Sequence, residues 1–373
     1  MATLKVAYAC AWWRPVATTW SGSSAGMMRA LDARPDVDLR RVDAQHGIGA
    51  STGMAVLGRL RGYGNWKSSS PSRQLTDARV RRRVDSLDVD AVVGVGDVET
   101  LAGPPTFFYQ DANLSVLRAH RDVLEEHAPA LVRFPSGRLD QLVAEQRAAY
   151  AAAAGVLSFS QWFADWLVEH DGVPRDRVHV VGGGLHGPPA QRALETRGPG
   201  GKSVLFVGRE FVRKGGDLVV AAVEQLRASG SGDFTLTVVG PPKWPLPGPV
   251  PEWVDFRGEV PAGEVRQMWA DHDIFAMPTW YEPYGLVFLE ARAAGVPALG
   301  RAAYCMPELV PDSAGKLIAP EGGVDAVAEQ LLAISEDCGL FVSAAEESDA
   351  VRAGRTWEAV ADRVVRSIRD GID

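Results

Sequence analysis

Cysteine is scarce in this 373-residue chain: Cys10, Cys305 and Cys338 are the only three, and they are widely spaced. That excludes a disulfide framework and a cysteine-rich zinc site, and makes a reducing cytoplasm the expected compartment. No apolar run reaches the roughly 18 residues a membrane span needs. The opening segment MATLKVAYACAWWRP has neither the apolar core nor the cleavage site of a secretory leader, so an exported product is not expected. An excess of positive charge is missing too: 39 basic against 47 acidic residues give a net charge of −8, which offers no electrostatic support for a nucleic-acid partner. Also absent are the GxxxxGK[ST] phosphate loop, HxxxH or HExxH pairs, and low-complexity tracts or short repeats.

What is present is an ordinary globular composition, 46% hydrophobic and 23% charged, in a chain long enough for two domains. Residues 1–180 hold 21 Lys/Arg against 20 Asp/Glu, and the remainder 18 against 27. The local basic excess, Arg73, Arg79, Arg81, Arg82 and Arg83, falls on one expected helix with Asp77, Asp85 and Asp88 beside it. A solvated helix face is the favoured reading; peripheral contact with a membrane or an anionic acceptor is the other. The Ala-, Gly-, Arg- and Val-rich usage fits a bacterial source with GC-rich codons.

Short β-rich apolar runs alternate with helical patterns almost throughout. Six occur in the first half (4–10, 37–44, 91–96, 105–111, 155–160, 178–183) and six in the second (203–209, 234–240, 254–260, 273–279, 296–300, 315–320). Continuous rather than alternating apolar strands, separated by helices, predict parallel sheets covered on both faces. Between them GGGLHGPPAQRALETRGPGGK interrupts the pattern with Gly and Pro. The expected organisation is therefore α/β: a Rossmann-like acceptor-binding domain over 1–182, a linker over 183–202, a second Rossmann-like domain over 203–355, and an amphipathic helix over 356–373. Two such sheets would present the carboxyl ends of their strands to a common cleft.

Three stretches carry chemistry. In DIFAMPTWYEPYGLVFLEARAAGVPALG (273–300), a strand is followed by Glu282-Pro283-Tyr284-Gly285 and a helix bearing Glu290, closed by Gly295-Val296-Pro297. Gly285 permits a close backbone approach. The free amides of the first helical turn favour an anion, and a carboxylate on the helix body can accept from vicinal hydroxyls such as those of ribose. In VLFVGREFVRKGGDLVVAA (204–222), Gly208-Arg209 leaves a strand and Lys214 precedes a helix, a natural diphosphate clamp. In WSGSSAGMMRALDA (20–33), a Gly/Ser-rich turn opens a helix after the first strand. Trp12, Trp13 and Trp20 cluster there and either line an acceptor pocket or pack between domains. Each stretch also has a plainer reading, as capped helices, solvated basic residues or an ordinary strand–helix turn.

These residues taken together resemble retaining GT-B glycosyltransferases, specifically glycosyltransferase family 4. The likeness is strong over about 203–320 and looser in the first half, through WSGSSAGM, PTFFYQD and GVLSFSQWFADWLVEHDGV. The resemblance implies GT-B architecture with the C-terminal helix crossing back to the first domain. It implies that Arg209 and Lys214 bind the donor diphosphate and stabilise it as it leaves. Glu282, with backbone at Tyr284, Gly285 and Leu286, would hold sugar hydroxyls and phosphates. Glu290 would bind ribose, backbone near Glu259 and Val260 would meet the base, and Gly22 would lie against the diphosphate. Family members often carry His-Asp where this chain reads Gln110-Asp111. Gln110 can still hydrogen-bond a hydroxyl, and Asp111 becomes the nearest carboxylate to orient or deprotonate an acceptor.

The implied reaction is retaining, metal-independent transfer from a nucleoside-diphosphate sugar to a small-molecule or glycan acceptor, with no cofactor, in glycoconjugate or secondary metabolism. The Asp-x-Asp pairs Asp36/Asp38, Asp88/Asp90 and Asp271/Asp273 sit at strand starts, the wrong end for an active site, and read as caps and turns. Two other classes share the architecture: a nucleotide-sugar epimerase or sugar phosphorylase, and a non-catalytic sugar-binding protein.

Overall fold

The structure is a computed structural model describing residues 2–12, 15–45, 48–63, 69–191 and 201–372. The chain divides into two units, Met1–His186 with Thr356–Asp373, and Gly187–Arg355.

The first unit holds, among the described residues, six parallel strands: β1 (Leu4–Cys10), β2 (Val37–Asp43), β3 (Ala91–Val95), β4 (Thr106–Gln110), β5 (Gly155–Ser158) and β6 (Val178–Val180), ordered β2-β1-β3-β4-β5-β6. β1, β3, β4 and β5 are buried along almost their whole length, which is why their sequences run apolar without alternation. Edge strand β2 instead carries exposed Arg40 and Arg41, the charged pattern that discourages further strand pairing. One face is closed by Ala7, Ala9, Val42, Val80, Val84, Val92 and Val98.

The second unit repeats the plan with β7 (Ser203–Val207), β8 (Thr235–Val239), β9 (Val254–Gly258), β10 (Ile274–Ala276), β11 (Ala298–Arg301) and β12 (Gly315–Ile318), ordered β12-β11-β10-β7-β8-β9. All twelve apolar runs of the sequence are strands. Counted from its own first strand, this second sheet reads 3-2-1-4-5-6 from β9 to β12, the order of dinucleotide-binding folds. The order reverses between β7 and β10 here, and between β1 and β3 in the first unit. Ligands of such sheets bind beyond the carboxyl ends at those reversals. Those ends open into 208–216 and 277–285 in one unit, and into 11–22 and 96–99 in the other.

The helix Trp357–Ile372 belongs to the first unit and packs on the helix Ser23–Asp32. A Cβ added to Gly26 would fall inside the Trp357 indole, so glycine there is what lets the two helices meet. Among the described residues no helix is long and apolar enough to cross a membrane.

Each Asp-x-Asp pair has at least one carboxylate engaged locally. Asp90 accepts from the Lys5 amide at 2.8 Å, Asp273 from the Ser203 amide at 3.0 Å, and Asp36 pairs with Arg34 and Arg369. On the basic helix (Ser70–Val84), Arg73 turns inward to Glu99 at 3.3 Å, and Arg79 donates to the Asp43 carbonyl at 2.9 Å.

Candidate active site

At the reversal between β7 and β10, two loops from distant parts of the sequence are stitched together. The Trp280 amide donates to the Arg213 carbonyl at 2.9 Å, and the buried Thr279 hydroxyl lies 3.3 Å from the same oxygen. The Arg213 guanidinium donates in turn to the Tyr281 carbonyl. Close packing depends on glycine at two places. A Cβ on Gly208 would lie 2.5 Å from Lys214 Cδ, so the lysine stem lies across bare backbone. Gly215 sits at φ +73 with its missing Cβ 2.6 Å from the Pro278 carbonyl oxygen, and caps the helix Gly216–Ala228.

The result is an ion pair: Lys214 Nζ lies 3.0 Å from Glu282 Oε2, and Arg213 Nη1 stands 4.0 Å from the same oxygen. Both members of the closer pair are largely buried, at 18% and 15% side-chain exposure. Burial by itself would raise the Glu282 carboxyl; Lys214, Arg213 and the hydrogen bond from Lys214 outweigh it and hold the group below its ordinary value. The carboxylate therefore stays ionised while its second oxygen can still accept.

Gly285, at φ +80, turns the chain from Glu282 into the helix Leu286–Ala293. A Cβ there would meet Phe288 at 3.0 Å and Glu282 Cγ at 3.1 Å. Tyr284 is buried, and its carbonyl accepts from the Cys305 thiol at 3.2 Å. Glu290 follows in the second turn, half-buried. Burial pushes its carboxyl up to about 7, against the pull of Arg266. Among the described residues no hydrogen bond or ion pair engages that carboxylate. A half-buried acid without a partner is suited to donors brought by a ligand.

Arg209 takes a different place from Lys214. It reaches Glu259 at 2.9 Å with both side chains exposed, so this contact contributes little on its own. Val260 follows, half-buried, after β9. Thus the structure joins Lys214 to Glu282 and Arg209 to Glu259, and links neither arginine–lysine nor glutamate–glutamate directly.

Two side chains that the motifs did not single out hold the 278–282 loop. The buried Arg301 stacks 3.6 Å from the Trp280 ring centroid and donates to the carbonyls of Pro320 (2.6 Å), Gly322 (2.9 Å) and Pro278 (3.3 Å). Its burial lowers its pKa to about 10. Tyr304, at φ 55, donates to the Trp280 carbonyl at 3.3 Å and packs edge-on to Tyr281. A lone arginine closing a strand, as in VPALGR, was the available signal.

In the first unit, Gly22 caps the helix Ser23–Asp32 at φ 87. Trp20 is 36% exposed and covers Gly96, where a Cβ would lie 2.5 Å from the indole. Trp12 is fully buried beside Tyr8, with the Arg41 guanidinium 4.5 Å from its ring centroid, so it packs as core and presents no face to an acceptor. Trp13 lies outside the described residues. Gln110 is buried, donates to the Gly96 carbonyl (2.7 Å) and Glu99 Oε1 (2.9 Å), and accepts from the Tyr150 hydroxyl (2.7 Å). Both amide protons are spent internally, so it supports the Gly96 turn beneath Trp20 instead of offering a donor to a sugar. Asp111 is half-buried in the loop after it. Among the described residues no group of three His, Cys, Asp or Glu is placed to hold a metal ion.

Two parallel sheets with this strand order, and loops gathered at each reversal, define a GT-B fold. Solved structures share it over nearly the whole chain. Sucrose-phosphate synthase from Thermosynechococcus elongatus matches with TM-score 0.71 at 16% identity, covering 98% of both chains. WaaG, a glycosyltransferase involved in lipopolysaccharide biosynthesis, matches with TM-score 0.62 at 17% identity, covering 97% of this chain and 99% of its own.

Residues 201–337 match the family "Glycosyl transferases group 1". Relatives include a D-inositol 3-phosphate glycosyltransferase of Mycobacteroides abscessus, 31% identical over 179 residues, 44% of this chain and 38% of the relative. A GDP-mannose-dependent alpha-(1-6)-phosphatidylinositol monomannoside mannosyltransferase of Mycobacterium tuberculosis is 31% identical over 199 residues, 49% of this chain and 51% of the relative. The matched segments thus span between 38% and 51% of these relatives' lengths.

Proposed function

We propose that this protein is a retaining glycosyltransferase that moves a sugar from a nucleoside-diphosphate sugar to a hydroxyl of a small or medium-sized acceptor, without a metal. The observation that carries the reading is the Lys214–Glu282 pair, set beside the glycine-led start of the helix Leu286–Ala293.

Transfer breaks the bond between the anomeric carbon and the diphosphate oxygen. Positive charge develops on the sugar, and negative charge on the leaving group. Lys214 and Arg209 supply fixed positive charge for the diphosphate, and the amides of Gly285 and Leu286 supply oriented donors. Glu282, kept ionised by Lys214 and Arg213, accepts from sugar hydroxyls. Glu290 accepts from the ribose hydroxyls. The acceptor oxygen forms the new bond on the face the leaving group departs from, and its proton passes to the departing phosphate oxygen. Asp111 orients the acceptor.

GDP-mannose, named in one relative, is the first donor to test, and inositol phosphates, named in another, the first acceptors. The acidic balance and the composition favour a soluble acceptor in the cytoplasm, in bacterial glycoconjugate or secondary metabolism.

Nucleoside diphosphate release is measured with GDP-mannose, UDP-glucose, ADP-glucose and dTDP-glucose across an acceptor panel, in EDTA. The anomeric configuration of the product is read by NMR. Turnover in the wild type and a loss of roughly 10²–10³ in Lys214→Ala and Glu282→Ala are expected. Full activity in Arg209→Ala, Lys214→Ala and Glu282→Ala overturns the assignment.

A further inference from the structure

Three consecutive residues before the helix Ser23–Asp32 lie in the left-handed region: Trp20 (φ 49), Ser21 (φ 55) and Gly22 (φ 87). Two of them carry side chains, for which this conformation is strained. Surroundings must therefore hold the turn, and on one side they are specific. His186 Nε2 lies 2.9 Å from the Ser21 carbonyl oxygen, and the imidazole packs so closely on Gly22 that a Cβ there would be 2.9 Å from Cε1.

The protonation of that ring is set by its other neighbour. Trp357 Nε1 donates to His186 Nδ1 at 3.3 Å. An indole N–H can only donate, so Nδ1 presents its lone pair, and the proton of the neutral ring sits on Nε2, aimed at the Ser21 carbonyl. Trp357 cannot readily move: its ring fills the space left by Gly26 and Gly184, where a Cβ on Gly184 would lie 2.5 Å from it. A parallel bridge between Leu185 and Thr356 ties the two segments together. His186 is the last residue of the first unit before the chain passes to the second, and Trp357 stands one residue after the chain returns. One imidazole thus connects the strained turn to both chain crossings.

We propose that His186 is a positioning residue for sugar transfer. Through its Nε2 proton it holds Trp20–Ser21–Gly22 in the left-handed turn that presents the amides at the head of the helix Ser23–Asp32. This role rests on the transferase reading above, and it adds a residue that no motif or resemblance assigns. Because most donor-binding groups of that reading, Lys214, Glu282 and Glu290 among them, are in the second unit and Gly22 is the one expected to meet the diphosphate from the first, loss of the His186 contact should slow the transfer step far more than it weakens nucleotide binding.

The test compares the wild type with His186→Phe, His186→Gln and His186→Asn. Affinity for GDP and UDP is measured by calorimetry, and kcat and KM with GDP-mannose and UDP-glucose. Phe keeps a ring with no donor. Gln places a carboxamide N–H where Nε2 stood. Asn keeps an acceptor for Trp357 and is too short to reach Ser21. The role predicts at least a tenfold fall in kcat for Phe and Asn with a much smaller change in nucleotide affinity, and most of the loss recovered in Gln. If Phe does not fold, Asn against Gln decides in the same way. Wild-type kcat in Asn or Phe, equal losses in Gln and Asn, or a matching loss of nucleotide affinity overturns the role. A wild type that binds neither nucleotide and turns over neither donor overturns the transferase reading and this role with it; an active wild type matched by its variants overturns the role alone.

Discussion

Lys214 Nζ and Glu282 Oε2 are 3.0 Å apart although 68 positions separate the two residues in sequence. Each comes from a loop that follows a strand at the sheet's reversal, and each is more than four-fifths buried. A buried carboxylate of this kind is expensive to leave without its cation.

Replacing Lys214 with Met therefore removes the charge proposed to bind phosphate and exposes the cost of burying Glu282. In the wild type the carboxyl titrates below its ordinary value, so the pair stabilises the fold above about pH 4.3 and that stabilisation is lost as pH falls through the lowered pKa. In Lys214→Met the carboxyl titrates higher. Melting temperatures of variant and wild type should differ most near neutrality and converge below pH 4. Parallel curves from pH 3 to 7 would contradict the pairing.

Glu290 runs in the opposite sense. Its carboxyl is raised to about 7, so it opposes folding increasingly as pH rises from about 4.3 to about 7, and fully above that. Glu290→Gln should be more stable than the wild type at pH 8, by about 1 kcal/mol after allowing for solvent, or about 2–4 °C, and equal to it below pH 4. On the proposed reading ribose hydroxyls donate to Glu290, which would favour its ionised form. Binding of GDP or UDP at pH 6.5 should accordingly release protons, seen as a buffer-dependent calorimetric enthalpy that disappears in Glu290→Gln.

Gly215→Ala places a methyl group 2.6 Å from the Pro278 carbonyl oxygen at a φ of +73. Neither the backbone conformation nor the neighbouring carbonyl accommodates it cheaply. A loss of about 2 kcal/mol in urea unfolding is expected, together with weaker nucleotide binding because the 208–216 turn separates from the 277–285 loop. Unchanged stability would show that the two loops are not in contact.

Arg301→Lys keeps the charge and loses the fork. An ammonium cannot span the carbonyls of Pro278, Pro320 and Gly322 while stacking on Trp280, so buried acceptors go unpaired, at a cost of about 2–3 kcal/mol. The donor KM should rise several-fold as the 278–282 loop loosens. A lysine variant with wild-type stability and KM would remove Arg301 from the support of the site.

The motif residues of the second unit were legible because a strand, a glycine turn and a helix start are local patterns. The 203–209 and 273–300 stretches each declare where their loop lies. Arg301 was not legible: its value comes from carbonyls at 278, 320 and 322, whose convergence no window of sequence displays. Gln110 is the reverse case. At a strand's carboxyl end it reads as a ligand for an acceptor, yet Glu99, Gly96 and Tyr150, 11, 14 and 40 positions away, consume its donors and engage its carbonyl. Trp12 likewise reads as lining an acceptor pocket or packing between domains, and is core.

By itself the sequence determined two parallel-sheet units and the loops that carry their chemistry, because hydrophobic runs and glycine turns act over a few residues and are written where they act. Only the tertiary structure decided which cation meets which carboxylate, which tautomer His186 adopts, and whether Gln110 faces a ligand or the interior. Those outcomes depend on distances between segments tens to hundreds of residues apart, and on which donors remain once every buried polar group has found its partner.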